Sequence, residues 1–219
     1  NMLATGSESR EAALNVGVTI EEQQIADATA ASEAVEGTRL DRVYDNLTHD
    51  SNHRLESFQS ALVAYDENAV ANLLYMIEEQ KLAGDLYEAF ADQHGGWTLH
   101  RAAHSEDRDF YSLVREAERM DVDVSEILAA DEGTFQNTEL QTLYDDMLTT
   151  GSESLEAALG VAMTLEEKEV TDSTAANEAV DGTRLGRIYE QLTDRSEYQL
   201  DSFEYALNNG QSSHYYCYW

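Results

Sequence analysis

Apolar side chains recur every three or four residues in four long stretches of the chain, which is the spacing of one face of an α-helix. Two stretches lie within about Glu67–Arg119 and two within about Ser152–Leu207. The first stretch ends near the letters HGGW, whose glycines can terminate a helix. The third begins after TGSES, where Ser152 is the predicted N-cap. Alternating runs typical of strands are few and proline is absent, so the pattern predicts an all-α protein.

The order of the stretches predicts how the helices, which we label A, B, C and D, are connected. Helices A and B form one hairpin, and helices C and D form another. About Met120–Thr150 joins the two hairpins, and its end includes the amphipathic run FQNTELQTLYDD. Two hairpins with one long connection are typical of a four-helix bundle with one long crossover.

Part of the sequence occurs twice. Asn1–Leu62 aligns with Asp146–Leu207 at a constant offset of 145 positions without a gap, and 36 of the 62 aligned residues are identical. This regularity indicates an internal duplication of the C–D hairpin. We therefore expect a half-unit at residues 1–66, a complete bundle at residues 67–207 and a tail at residues 208–219. The half-unit would be an additional N-terminal helical hairpin, with either a longer gene upstream or an A–B pair that was lost.

The net charge bears on the environment and on partners. The 219 residues include 44 acidic and 13 basic side chains, which give a formal charge of -31. Phosphates would repel such a chain, which excludes nucleic acid and anionic membrane surfaces as partners. High salt screens the self-repulsion of an acidic domain, so we expect a halophilic prokaryote as the source, with an extracellular, cell-surface or cytoplasmic location. An ordinary acidic protein is the alternative. No segment predicts membrane insertion, and the single cysteine, Cys217, excludes an internal disulfide.

Acidic residues also occur on the apolar faces of the predicted helices, where burying a charge is costly. One lies on helix A, two on helix B and two on helix C: Glu79, Glu106, Asp109, Glu166 and Glu169. Inward carboxylates from several helices of one bundle can hold two iron or manganese ions. The alternative is that these residues are solvated charges at the rim, since acids are abundant here. The histidines that could add ligands, none of which completes a Glu-x-x-His on these faces, are His53, His94, His100 and His104.

Four segments together resemble a known family. They read LLYMIEEQKLAGDLYEAF, HSEDRDFYSLV, FQNTELQTLYDDMLTTGSESLEAAL and LTDRSEYQLDSF, in that order. They are similar to a prokaryotic ferritin-like family that is classed as a domain of unknown function. The resemblance covers Glu67–Leu207 as one domain and Asn1–Leu62 as the second half of another. It implies a ferritin-like four-helix fold with a di-metal carboxylate site.

The resemblance also implies which positions would bind the metals. The acidic ligands would be Glu79, Glu106, Asp109, Glu166 and Glu169. The family pattern has histidine where this chain has Asp109 and Gln199, and the N-terminal copy has Glu21, Gln24 and Arg54 at the equivalent positions. Glutamine is a poor iron ligand and arginine repels a cation. The resemblance therefore implies a degenerate site and disfavours redox di-iron chemistry.

These observations favour a non-catalytic ferritin-like protein for structure or interaction over an enzyme. It would form a homo-oligomer or a repeating assembly at high salt through the N-terminal hairpin and an aromatic tail. The partner-binding residues of the tail would be Tyr215, Tyr216, Tyr218 and Trp219. The alternative is a di-metal protein that binds Fe or Mn and has oxidase- or peroxidase-like activity. A hydrolase is disfavoured because the sequence shows no nucleophile with a positioned base, no phosphate loop and no Gly-x-Ser-x-Gly motif.

Overall fold

The computed structural model describes residues 9–209, which are almost entirely helical. Eight α-helices make up this part of the chain: α1 (Arg10–Ala34), α2 (Asp41–Leu62), α3 (Glu67–His94), α4 (Trp97–Arg119), α5 (Ser125–Ala129), α6 (Thr138–Gly151), α7 (Leu155–Glu178) and α8 (Arg184–Asn209). A short 3₁₀ turn, Val63–Tyr65, lies between α2 and α3. The described residues contain no strand, so the predicted all-α class is confirmed.

Two of the sequence predictions concern membrane insertion and the aromatic tail. None of the helices between residues 9 and 209 is long and apolar enough to span a membrane. The predicted partner-binding residues of the tail lie outside the described residues, as does Cys217: they are Tyr215, Tyr216, Tyr218 and Trp219. Their predicted role in binding stays a prediction.

The described residues separate into two compact units. One comprises residues 9–70 and 180–187, and the other comprises residues 71–179 and 188–209. The first contains α1 and α2. The second contains most of α3 and α8 and all of α4 to α7.

The first unit is built on α1 and α2, which pack against each other as a hairpin. The Ser9 side chain caps α1 by accepting a hydrogen bond from the backbone N–H of Ala12 at 3.0 Å. Gly37 has a φ of 76° in the turn between the helices, a conformation that favours a residue without a side chain. Few residues of these two helices are buried: Glu21, Ala28 and Ser51. Two helices alone enclose little space, so much of the apolar face of the hairpin stays exposed.

The second unit has one hydrophobic core, to which α3, α4, α6, α7 and α8 all contribute. The ring of Tyr87 on α3 lies edge-on to the ring of Phe203 on α8, with 5.3 Å between the centroids. Leu99 of α4, Leu140 of α6 and Leu165 of α7 are buried in the same core. Helices A, B, C and D of the sequence prediction correspond to α3, α4, α7 and α8, and their apolar stripes face this shared core.

The predicted bounds of the A–B hairpin agree with the structure, since α3 begins at Glu67 and α4 ends at Arg119. Helix α3 ends at His94 because Gly95 and Gly96 adopt φ values of 71° and 122°, which other residues rarely take. The long connection after α4 is partly helical, since it contains α5 and most of α6.

The prediction of Ser152 as the N-cap of helix C is wrong by two residues. Helix α6 continues to Gly151 and has Ser152 as its C-cap, whereas Ser154 caps α7 by accepting a hydrogen bond from the backbone N–H of Ala157 at 3.1 Å. An N-cap side chain must reach a backbone N–H two or three residues further on. Because α6 ends only at Gly151, the second serine of the letters SES is the one placed to do so. A side chain at Gly151 would overlap the ring of Phe90, so packing against α3 accompanies this boundary.

A buried glutamate attaches the crossover to α3. The Glu78 carboxylate accepts hydrogen bonds from the backbone N–H groups of Gln136 and Asn137, at 3.2 and 2.8 Å. These bonds satisfy two donors immediately before α6. Glu78 therefore has a structural role, although it is the neighbour of the candidate ligand Glu79.

Candidate metal centre

Three glutamates of the second unit meet in its core. Glu106 lies on α4, and Glu166 and Glu169 lie three residues apart on α7, so that the latter two share a face of the helix. One carboxylate oxygen from each residue lies within 4.8 Å of the corresponding oxygens of the other two. All three residues are at most 1% exposed. Carboxylates this close together and removed from water repel one another strongly when they are ionised, and protons or a cation would offset that repulsion.

Neighbouring helices orient the two glutamates of α7. The Tyr87 hydroxyl on α3 donates a hydrogen bond to Glu166 Oε1 at 2.8 Å, and the Ser196 hydroxyl on α8 donates one to Glu169 Oε2 at 3.0 Å. The second oxygens, Glu166 Oε2 and Glu169 Oε1, are buried and have no partner among the described residues. Buried polar atoms nearly always have a partner. A cation between the three glutamates would supply one for both oxygens.

Gln199 on α8 lies at the same centre. Its side-chain amide donates a hydrogen bond to Glu106 Oε1. Its own Oε1 is buried and has no partner in the part of the chain that the structure describes. The position at which the family pattern implies histidine therefore offers an amide oxygen and no imidazole nitrogen. The ligand atoms that the described residues bring to this centre are all oxygens, which suit Mn²⁺, Mg²⁺ or Ca²⁺.

Burial raises the pKa of all three glutamates. The pKa values of Glu106 and Glu169 lie well above the ordinary carboxyl value, because burial and then the neighbouring carboxylates disfavour ionisation. Burial raises the pKa of Glu166 to about 8, although the hydrogen bond from Tyr87 opposes the rise. Near neutral pH the cluster therefore retains protons, which a bound cation would displace.

Glu79 is buried on α3, but the ammonium of Lys168 already balances its charge. Lys168 Nζ lies 2.5 Å from Glu79 Oε1 and 2.5 Å from the Tyr75 hydroxyl, and it also pairs with Asp172. Burial raises the pKa of Glu79 to about 7, and the nearby ammonium limits the rise. Burial alone would lower the pKa of Lys168, but Glu79 and Asp172 hold it above its ordinary value. Lys168 is therefore the cationic partner of Glu79 in this structure.

Asp109 is buried on α4 three residues after Glu106, but it faces a different partner. Its carboxylate forms an ion pair with the guanidinium of Arg195 on α8. It does not belong to the group of three carboxylates. The structure thus brings together three of the five candidate residues and gives each of the other two, Glu79 and Asp109, a basic side chain. That the five bind metal stays a prediction.

The sequence prediction did not single out Lys168, Arg195 or Tyr87. One signal was available, because Lys168 and Asp172 are four residues apart, the spacing of an ion pair on a helix. The direction of the Lys168 side chain could not be predicted from the sequence, because a lysine beside an apolar face can extend into solvent or reach across to a neighbouring helix. Tyr87 could be assigned to the core by its spacing, but not to a hydrogen bond with a residue 79 positions away.

The N-terminal hairpin contains a different version of the same arrangement. Glu21 of α1 is equivalent to Glu166, and Arg54 of α2 occupies the position of Gln199. Arg54 Nε donates a hydrogen bond to Glu21 Oε1 at 2.8 Å, and Arg54 Nη2 donates one to Ser51 Oγ at 2.9 Å. The bond from Arg54 is the main reason why the pKa of Glu21 lies below its ordinary value. A guanidinium therefore supplies the positive charge in this copy.

The histidines that were considered as ligands have other surroundings. His94 Nε2, for example, donates a hydrogen bond to the carbonyl oxygen of Gly151 at 2.9 Å. The ligand group found among residues 9–209 includes none of the four candidates: His53, His94, His100 and His104. The centre is built from carboxylates, with an amide beside them.

Comparison with known proteins shows the family. A family model described as "Uncharacterized protein domain (DUF2202)" matches residues 1–68 and, a second time, residues 69–217. The chain belongs to this family. The predicted membership of a domain family of unknown function is thereby confirmed. The description of the family assigns no activity to its members.

A relative with a solved structure shares the fold. Uncharacterized protein MJ0754 of Methanocaldococcus jannaschii is 25% identical over 148 residues, which are 68% of this chain and 80% of the relative. The crystal structure of hypothetical protein MJ0754 from Methanococcus jannaschii is similar over 70% of this chain and 87% of that chain, with a TM-score of 0.62 at 25% identity. These names state no activity for the relative.

Proposed function

We propose that residues 67–207 form a ferritin-like module that binds a divalent cation between Glu106, Glu166 and Glu169. The observation that carries this proposal is the pair of buried oxygens without partners, Glu166 Oε2 and Glu169 Oε1, inside a cluster of carboxylates within 4.8 Å of one another. Oxygen ligands suit Mn²⁺ well, and Fe²⁺ is the second candidate.

The residues of the chain would prepare this centre before a cation arrives. Tyr87 and Ser196 orient the two glutamates of α7, and Gln199 holds Glu106. The surrounding core excludes water, which strengthens the attraction between carboxylates and cation. A bound cation would supply charge balance and a Lewis-acid centre. We propose a non-redox, structural role, because Asp109 and Gln199 stand where the family resemblance implies histidine ligands.

Metal analysis tests this proposal. The protein would be stripped with a chelator, dialysed against Mn²⁺ or Fe²⁺ and assayed by mass spectrometry of the bound metal. We expect at least about one ion per chain for the wild type and for the control Glu167→Gln, whose side chain is exposed between the two ligands of α7. We expect Glu166→Gln and Glu169→Gln to lose the ion while circular dichroism shows an intact fold. A wild type without a bound ion, or variants that bind as well as the wild type, would contradict the proposal.

A second observation favours self-assembly through the N-terminal hairpin. Leu40 and Leu47 are 55% and 48% exposed, whereas their equivalents in the second copy, Leu185 and Leu192, are 1% and 2% exposed. The first copy therefore has exposed leucines at two positions where the second copy has buried leucines. Exposed apolar side chains at positions that are buried in the other copy favour an interaction site.

We propose that a second copy of the chain covers this face with its own N-terminal hairpin. Two such hairpins would form a symmetric four-helix bundle. The α3–α4 hairpin of another copy is a poorer partner, because its apolar face is already buried in a core with α7 and α8. Arg54 neutralises Glu21 within the hairpin, so the new bundle would need no metal. Residues 9–62 include ten acidic and four basic side chains, so salt should favour the dimer by screening their repulsion.

Mass measurement by light scattering tests the dimer at about 0.1 M and about 1 M salt, where the screening length falls from about 10 Å to about 3 Å. We expect a dimer at high salt for the wild type and a monomer for Leu47→Glu. Leu128→Glu is a matched control, because Leu128 on α5 is 47% exposed and lies outside the hairpin. A wild type that is monomeric at both salt concentrations would remove the basis for assembly.

A further inference from the structure

We infer that Lys168 is a tethered cation that takes the place of a second metal ion, so that the carboxylate centre binds one divalent cation and not two. This inference rests on the proposed function, since it presumes that a cation binds at Glu106, Glu166 and Glu169. It adds the reason why the number of ions is limited to one.

The surroundings of the Lys168 ammonium resemble those of a bound cation. Its Nζ contacts three oxygen atoms: Glu79 Oε1 and the Tyr75 hydroxyl, each at 2.5 Å, and Asp172 Oδ2. An ammonium group has three N–H donors, so each of them has an acceptor. Glu79 is fully buried, whereas the side chain of Lys168 is 31% exposed. The lysine therefore reaches from the rim of the bundle to an acid in its core.

A count of charges leads to the same result. The five inward acids carry five negative charges when all are ionised, and Lys168 and Arg195 lie against Glu79 and Asp109. Asp172 shares the ammonium of Lys168, but its side chain is 31% exposed, so water screens its charge and it is left out of the count of inward charges. Three negative charges remain, on the carboxylates of the cluster. One divalent cation reduces this to one negative charge, which a retained proton can balance. A second divalent cation would leave a buried excess of positive charge, which is strongly unfavourable.

The glutamates of α7 and Glu79 differ in their charge partners. Glu166 Oε2 and Glu169 Oε1 are buried without partners among residues 9–209; Glu79 Oε2 is also buried without one, but Glu79 Oε1 contacts the ammonium of Lys168. The N-terminal copy supports the same principle with different residues. Gln23 stands at the position of Lys168, and the basic residue that balances the inward acid is Arg54 on the other helix.

The stoichiometry of Mn²⁺ tests the inference in the complete chain. Isothermal titration and metal analysis should give about one ion for the wild type and about two for Lys168→Gln, whose neutral side chain leaves Glu79 free to bind. Two Mn²⁺ ions in one cluster should also give an exchange-coupled electron paramagnetic resonance signal, which a merely structural effect of the substitution would not produce. The matched control is Lys81→Gln, because Lys81 forms the same type of ion pair with Asp85, at 2.5 Å, four residues along α3. We expect one ion for this control.

The outcomes separate this inference from the proposed function. A wild type that binds no ion overturns the proposed cation site itself. A wild type with two ions, or Lys168→Gln with only one, overturns the role of Lys168 and leaves the cation site standing. Glu79→Gln gives a second test if the lysine variant does not fold. We expect it to keep one ion, because the cation of the cluster does not depend on Glu79, and a loss of binding in that variant would contradict the inference.

Discussion

The metal-free protein should lose stability as the pH rises from about 5 to about 7. Burial raises the pKa of Glu166 to about 8 and the pKa of Glu79 to about 7, from an ordinary value of 4.5. Between the ordinary and the raised value the folded protein binds more protons than the unfolded chain does. The associated stability is therefore complete below about pH 4.5, and it is lost as the pH rises through about 7 for Glu79 and about 8 for Glu166.

The expected loss is large relative to the stability of a domain. Each raised carboxyl reduces the free energy of unfolding by about 1.4 kcal/mol per pH unit between its two pKa values. From about pH 5 to about pH 7 this amounts to roughly 2–3 kcal/mol for Glu166 and roughly 2 kcal/mol for Glu79. Glu106 and Glu169, whose pKa values are also raised, act in the same direction. A domain is typically stable by only about 5–15 kcal/mol.

Glu166→Gln isolates the contribution of Glu166 to the pH dependence of stability, because glutamine stays neutral at every pH. Urea denaturation of the chelated protein, followed by circular dichroism at constant salt, measures the free energy of unfolding of both proteins. The variant should lose about 2–3 kcal/mol less than the wild type between about pH 5 and about pH 7. The control Glu167→Gln changes the same net charge at an exposed position and should behave as the wild type does. Saturating Mn²⁺ should also flatten the pH dependence of the wild type, since the cation replaces the protons.

Two results would refute the reasoning about buried carboxyls. One is a chelated wild type whose free energy of unfolding is constant or rises between about pH 5 and about pH 7. The other is a Glu166→Gln variant with the same pH dependence as the wild type, since the carboxyl at that position would then titrate as it does in the unfolded chain.

Two further predictions concern packing and charge. Gly151→Ala should destabilise the protein by about 1–3 kcal/mol, because the new methyl group would overlap the ring of Phe90. The control Gly160→Ala lies within α7, where the new methyl group meets open space, and it should stabilise the protein by up to about 1 kcal/mol. Equal effects of the two substitutions in urea denaturation would contradict this account. Gln199→Arg should transfer the arrangement of Arg54 to the bundle, abolishing Mn²⁺ binding and weakening the pH dependence of stability. Unchanged metal content in that variant would be the contrary result.

The periodicity of the sequence was sufficient to predict α3 and α4, because nearby residues determine both the buried face of each helix and the point where α3 ends. Apolar residues at helical spacing define the buried face, and Gly95 and Gly96 allow the positive φ values that end α3. The same periodicity placed Glu166 and Glu169 on the apolar face of their helix, and both residues are buried. These features depend only on residues within one or two helical turns.

The features that the sequence did not reveal depend on contacts between helices. Two serines of the SES segment are equally good caps by composition, and the end of α6 decides in favour of Ser154. Lys168 lies between two inward acids of α7 in the sequence, but the direction of its side chain is set by Glu79 on α3. The partners of the five acids therefore could not be assigned, although their inward positions could.

The duplication shows two ways of balancing acids on one helical face. In the first copy Gln24 stands at the position of Glu169 and Arg54 at that of Gln199, so the inward charges are one carboxylate and one guanidinium, which cancel. In the second copy both glutamates are present, the amide adds no charge, and Glu106 contributes a third acid from α4. Burying three such groups requires protons or a cation. The first copy is free of this requirement and also leaves its apolar face exposed, which is why we assign assembly to the first copy and cation binding to the second.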